Sequence, residues 1–211
     1  MDAGDHYGAV KQVWSVQSGR TLCAYATSAV LVSSLKVPLP RSKDDPSVVT
    51  DAQLLDDCAS AGVGPAKEDV LVSGATLAQF GEVITHAVKC HLGNPDRPGE
   101  SAGTASLRLT TVNTKAEGSA KTAISEALAD PYCRVAVNYH MSTAGQEPWG
   151  GHFSPLVAHH AESDSFLIMD VWPDTEPTWI CWPSLWASLL HQDDKSGQSR
   201  GFAVLRVEPH N

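Results

Sequence analysis

The chain has five cysteines, an odd number, and no two of them stand in a C-x-x-C pair. That spacing argues against both a disulfide framework and a structural zinc knuckle. No lysine- or arginine-rich run occurs, and the formal net charge is −9. Nucleic acid and anionic membrane are therefore not expected as partners, since neither meets a basic patch. No apolar run approaches the ~18 residues of a membrane span. The opening MDAGDHYGAVKQVW has two aspartates and no basic region ahead of an apolar one, unlike a secretory signal, so a cytoplasmic chain is expected.

What is present is ordinary in bulk and specific in detail. With 42% hydrophobic and 18% charged residues over 211 positions, the chain can bury a sizeable core in one unit. Thr21 to Ser34 is small and apolar on every face, which predicts a buried central helix with Thr21 as its N-cap, ended by Pro38 and Pro40. Helical spacing recurs over Asp51–Ala61, Leu77–Lys89 and Ser119–Asp130, the last stopped by Pro131. Polar or turn-rich stretches at 41–50 and 93–103 read as loops. Short β-rich runs then follow at Arg134–His140, Phe153–His160, Ser165–Val171 and Gly201–Val207, with a helix at Pro183–Leu190 before the last. Helices first and strands second predict an α+β fold. The whole of 1–211 is read as one domain, with a helical lobe over about 1–130 and a β lobe over about 131–211.

Four residues carry candidate chemistry. Cys23 opens the apolar helix, where the positive end of the helix dipole lowers a thiol pKa. His152 and Asp170 flank a polar turn at 162–164, and a hairpin folding there lays residue 152 roughly opposite 171 or 172. A slip of one residue in that pairing turns one side chain to the other face. Gln17, across a glycine-containing loop from Cys23, could offer its amide to an oxyanion beside the Cys23 N–H. Nucleophile, base, orienter and oxyanion donor together describe acyl transfer.

The segments Gln17-x5-Cys23, Gly151-His152-Phe153-Ser154-Pro155 and Leu167-Ile168-Met169-Asp170-Val171 resemble the catalytic domain of phytochelatin synthases, a branch of the papain-like cysteine peptidases. Weaker likeness extends through Leu54–Cys58, Asn138–His140, Trp179–Trp186 and Arg200–Phe202. The resemblance implies a papain-like two-lobe fold. It also implies a γ-glutamylcysteinyl transfer in which Cys23 expels glycine from glutathione and holds γ-Glu-Cys as a thioester. On the matching positions Cys23 is the nucleophile, His152 the general acid/base, Asp170 the orienter and Gln17 the oxyanion donor.

The chain departs from the family pattern in three ways. Ala24 replaces the glycine after the nucleophile. DVWPDTEPTW follows the aspartate, with Pro173 in place of an arginine and with Asp174 and Glu176 added. That acidic segment is expected to disfavour the carboxylates of glutathione. The cysteine-rich C-terminal region of the plant enzymes is not among these residues, and with these departures hydrolysis, or transfer to a thiol peptide or another amine, is expected at least as much as polymer synthesis. Trp149 and Gly151, just before His152, are candidate substrate-pocket residues.

No cofactor and no metal are expected. The cluster His159, His160, Glu162, Asp164 reads as a polar hairpin tip, because adjacent strand residues face opposite ways. A small thiol peptide, or another amide or thioester, is the expected substrate, and a homodimer stays open. Two other readings remain: an acyltransferase or amide synthetase with a donor other than glutathione, and a thiol-sensing protein of the same fold without catalysis.

Overall fold

The computed structural model describes residues 6–35, 48–92, 103–147 and 150–209. Five helices lead: α1 (His6–Val13), α2 (Cys23–Leu35), α3 (Asp51–Ala61), α4 (Lys67–Ser73) and α5 (Leu77–His91). Then come β1 (Gly103–Thr110), α6 (Glu117–Ala129), β2 (Cys133–His140), β3 (Gly151–His160), β4 (Ser165–Ile168), β5 (Thr178–Cys181), α7 (Trp182–Leu190) and β6 (Gly201–Pro209). All strands join one antiparallel sheet in the order β1-β6-β2-β3-β4-β5. The mixture of helices with an antiparallel sheet is the expected α+β class. No helix among the described residues is long and apolar enough to cross a membrane.

α2 is the pivot. Its sequence CAYATSAVLVSSL is apolar or small all round, and every residue from Cys23 to Ser34 is buried. A helix with no polar stripe can only be stable when packed on all sides. Here α1, α3, α5 and β3 surround it. Its C-terminal end is held by Arg134 of β2, a buried guanidinium that donates from Nε to Ser34 Oγ at 2.8 Å and from Nη2 to Ser34 O at 2.9 Å. That cation meets the negative end of the helix dipole and satisfies a carbonyl the helix itself cannot. The N-terminal end differs from expectation. Leu22, not Thr21, occupies the cap position, since its carbonyl accepts from the Ala26 N–H at 2.9 Å. Cys23 is therefore the first helical residue, and its N–H has no partner within the helix.

The sheet is covered on both faces, which is why β2 is buried along almost its whole length. Ala136, Phe153, Val171 and Ala203 pack with α2, α3 and α5. Val135, Val137, Tyr139, Leu156 and Phe166 pack with α6 and α7. Phe153 stacks on Phe80 of α5 with ring centroids 4.8 Å apart, fixing β3 against the helices. α5 starts with a reciprocal cap between Thr76 and Gln79.

The sheet begins before the expected lobe boundary, because β1 at Gly103–Thr110 and α6 both belong with it. Four elements had no counterpart in the sequence reading: α1, α4, β1 and β5. The proline-ended turn after Ser34 and most of the 93–103 loop lie outside the described residues.

Candidate active site

Three chain segments bring the candidate residues together. Cys23 comes from the start of α2, His152 from the start of β3, and Asp170 from just beyond β4. The β3–β4 pairing explains the last two. From the turn, His160 pairs with Ser165, His159 with Phe166 and Ala158 with Leu167, but Leu156 then pairs with Ile168. Val157 is thus an extra residue, a β-bulge. Continued beyond Ile168, the shifted register puts Ser154 opposite Asp170, and the Met169 N–H donates to Pro155 O at 3.0 Å in agreement. His152, two residues from Ser154, then shares the face of Asp170. The expected position of residue 152, opposite 171 or 172, matches this extended register at Trp172.

The resulting contact is direct. His152 Nε2 donates to Asp170 Oδ1 at 2.7 Å, with both residues buried. Asp170 is held from all sides. Oδ1 also accepts from the Trp172 N–H at 2.8 Å and Ser154 Oγ at 3.2 Å. Oδ2 accepts from the Tyr139 hydroxyl at 3.2 Å and from Gln146 Nε2 at 3.5 Å. Its backbone carbonyl accepts from Trp14 Nε1 at 3.0 Å. Burial pushes the Asp170 carboxyl up, but His152 and these donors outweigh it and hold it below its ordinary value.

The other imidazole nitrogen serves Cys23. His152 hydrogen-bonds the Cys23 side chain, and with Nε2 given to Asp170 this bond falls to Nδ1. Burial raises the Cys23 thiol, yet the His152 hydrogen bond and charge, helped by the backbone N–H groups of Phe153 and Ala24, bring it below its ordinary value. Burial disfavours a charged His152, but Asp170 and Cys23 together raise it to about 9. The pair thus favours thiolate and imidazolium over neutral thiol and imidazole. Ala24 is no obstacle: it is fully buried inside α2 and its N–H is one of the sulfur's donors.

Gln17 lies in the same assembly. Its backbone N–H donates to Val171 O at 2.7 Å, tying the loop ahead of Cys23 to the Asp170 segment. Next to it, Ser18 donates from N and Oγ to Asp51 Oδ2, anchoring the loop at the start of α3. The Gln17 side chain is buried, and Nε2 donates to Gly19 O at 2.7 Å while Oε1 has no partner. One N–H of the amide is so committed and the second is not.

Of the two candidate pocket residues, Trp149 lies outside the described residues. Gly151 sits against Arg200, and a Cβ on it would collide with the guanidinium. Arg200 is given no role by the sequence alone, although it opens the Arg200–Phe202 likeness. It is 8% exposed. Nη1 donates to Asn138 Oδ1 at 3.2 Å and lies 3.8 Å from Asp193 Oδ1, while Nε is buried with no partner. Burial lowers its pKa, and Asp193, Asp194 and Cys23 oppose that, so Arg200 stands within electrostatic reach of the thiol. A cavity of about 240 Å³ adjoins this group through Asn138 and Asp193, with Thr76, Thr111 and Ser199 in its wall. Tyr139 likewise lies inside the Asn138–His140 likeness, which by itself gives it no role.

Asp174 and Glu176, expected to repel anionic substrate, are exposed, where solvent screens them. His159 and His160 have separate neighbours: His159 stacks on Phe166 at 4.3 Å, and His160 Nδ1 meets Ser163 Oγ at 2.7 Å. Among the described residues no group of three or more His, Cys, Asp or Glu side chains could hold a metal ion.

The family model for phytochelatin synthase matches residues 2–202. The chain belongs to the phytochelatin synthase family. Similar curated relatives include glutathione gamma-glutamylcysteinyltransferase 3 of Lotus japonicus, 26% identical over 91% of this chain and 36% of that protein. Glutathione gamma-glutamylcysteinyltransferase 1 of the same plant is 37% identical over 37% of this chain and 15% of its own length. The corresponding wheat (Triticum aestivum) protein is 36% identical over 35% of this chain and 15% of its length. The chain thus aligns with little more than a third of these relatives at most. Among solved structures, one described as a C39-like peptidase from Bacillus anthracis superposes with a TM-score of 0.50 at 12% identity, covering 94% of this chain and 96% of that one. The fold is papain-like.

Proposed function

We propose that the protein is a cysteine acyltransferase or amidohydrolase that forms an acyl-enzyme on Cys23. The observation that carries this is the linked chain Cys23–His152–Asp170, buried, with the thiol lowered and the imidazole raised to about 9. The Cys23 thiolate attacks the substrate carbonyl. The C–N bond breaks, and the His152 imidazolium returns a proton to the departing amine. Asp170 keeps the Nε2 proton in place, which leaves Nδ1 for the sulfur side. The Cys23 N–H, which has no partner within the helix, and the second N–H of Gln17 are the donors for the developing oxyanion. Water or the amine of a second peptide then attacks the thioester and regenerates the thiol, with His152 as base.

The donor we propose is glutathione or a related γ-glutamylcysteinyl peptide, with glycine released. Membership of the family supports it, and so does Arg200. A buried guanidinium with an unpartnered Nε, paired loosely with Asp193, complements a carboxylate beside an ammonium. It supplies a cation that the Pro173-containing segment lacks.

The test is intact-mass analysis after incubation with glutathione, with Cys23→Ala alongside. The expected result is a γ-Glu-Cys adduct, or free glycine, with the parent protein only. An unmodified protein with no glycine released rejects glutathione as the donor.

A further inference from the structure

Asp170 could present either oxygen to His152, because a carboxylate turns about its Cβ–Cγ bond. What occupies the second oxygen decides. Tyr139 of β2 stands directly opposite His152 in the β2–β3 register. Its ring is fully buried and meets the imidazole edge-on with centroids 5.8 Å apart. Its hydroxyl donates to Asp170 Oδ2 at 3.2 Å. The other donor there, Gln146 Nε2, is at the limit of a hydrogen bond at 3.5 Å and comes from a partly exposed turn. Ser154, on the same face, bonds Asp170 Oδ1 and is also a hydrogen-bond partner of Tyr139.

Burial pushes the phenol well above its ordinary range, and the Asp170 charge adds to this. Tyr139 is therefore held in its protonated, donating form through the neutral range. The charged or titratable groups facing the pair are Cys23 from α2, Tyr139 from β2, and Arg200 ahead of β6. Tyr139 alone among them donates to Oδ2.

We propose that Tyr139 is a positioning residue of the acyl-transfer site, clamping Asp170 so that Oδ1 faces His152. The proposal rests on the acyl-enzyme reading above. Once the clamp is gone, the carboxylate can turn, the imidazolium loses its fixed counter-charge, and the thiolate loses its partner.

The test is Tyr139→Phe, which keeps the ring, measured by the rate of Cys23 alkylation by iodoacetamide against pH in a Cys181→Ser background. The expected result is unchanged melting behaviour within a few degrees. Alkylation near pH 6 should be roughly tenfold slower, as suits a lost hydrogen bond to a charged group. The upper limb near 9 should move down by about one pH unit. Tyr132→Phe, at an exposed tyrosine just ahead of β2, should leave the profile in place. A Tyr139→Phe profile that superimposes on the parent's overturns the proposal. If the parent itself shows no activated Cys23, the acyl-enzyme reading falls and this one with it. A shifted profile without glycine release from glutathione keeps the clamp and discards only the donor.

Discussion

His152 and Asp170 share a face of the sheet because Val157 is one residue too many in β3. Counting back from the pair His160–Ser165 without a bulge, Asp170 falls opposite Pro155, three residues from His152 and on the other face. The bulge absorbs the odd residue. Deleting Val157 therefore leaves an even strand in which Ser154 still faces Asp170. The expected outcome is an intact His152–Asp170 pair and a Cys23 still alkylated at mildly acidic pH, with roughly 2 kcal/mol lost for the buried valine side chain. Inserting an alanine after Leu156 leaves no such solution. It should slow Cys23 alkylation to the rate of an ordinary buried thiol, and equal rates for the two variants would refute the register argument.

The ion pair sets a pH window. Cys23 is lowered and His152 is raised to about 9, so thiolate and imidazolium coexist from the lowered thiol pKa up to about pH 9. Activity should fall at the alkaline end as His152 loses the proton the leaving amine needs. Stability follows the same group. Its folded pKa lies above the unfolded value near 6.5, so its stabilisation is fully present below about 6.5 and is lost as pH rises through about 9. Thermal melts between pH 7 and 9.5 should show a decline that is smaller in a Cys23→Ala variant, where one cause of the raised pKa is gone. In alkylation assays Cys58, pushed up to about 11, should stay silent at pH 6, whereas exposed Cys181, lowered by Ser184, competes and must be replaced first.

Asp170→Asn separates charge from shape. The amide oxygen can still accept from His152, Ser154 and Trp172. The amide nitrogen can be met by the Tyr139 oxygen and by the unpartnered Gln146 Oε1 after a flip of that side chain. The fold should survive, while His152 loses its counter-charge. The expected result is kcat/KM lower by ~10²-fold and an alkaline limb moved to lower pH. Asp170→Ala should instead unfold more easily by about 3–5 kcal/mol, since it strands a buried imidazolium. Thermal denaturation of the two variants side by side distinguishes these effects.

Much of this site was readable in the sequence because its pieces are local. Cys23 at the head of an all-apolar helix, and His152 and Asp170 about a polar turn, each announce their element through spacing that needs no tertiary knowledge. The bulge at Val157 does not announce itself, because it depends on matching two strands from the turn outward. Arg200 and Tyr139 are also silent alone. One lies ahead of the last strand and the other in a strand buried on both faces, and only sheet order brings them to Asp170 and Gly151. β1 and β5 were missed for a related reason. Both are edge strands with few buried residues, so neither has a strong alternation to read.

Gly151 lies directly against Arg200, the proposed carboxylate anchor. The guanidinium of Arg200 lies where a Cβ on residue 151 would be, although nothing about the Gly151 backbone itself demands glycine. Gly151→Ala should therefore push Arg200 out of its place while leaving His152, the next residue, on its strand. If Arg200 serves as the carboxylate anchor, KM for glutathione should rise about tenfold or more, with Cys23 alkylation by neutral iodoacetamide nearly unchanged. Arg200→Gln should do the same, because a carboxylate loses its charged partner in both. Arg200→Lys should recover only part of the loss, since an ammonium cannot reproduce the planar fork. Equal slowing of alkylation and of glutathione turnover in Gly151→Ala would instead mean that the substitution disturbs His152, and the anchor would then have to be sought elsewhere in the cleft.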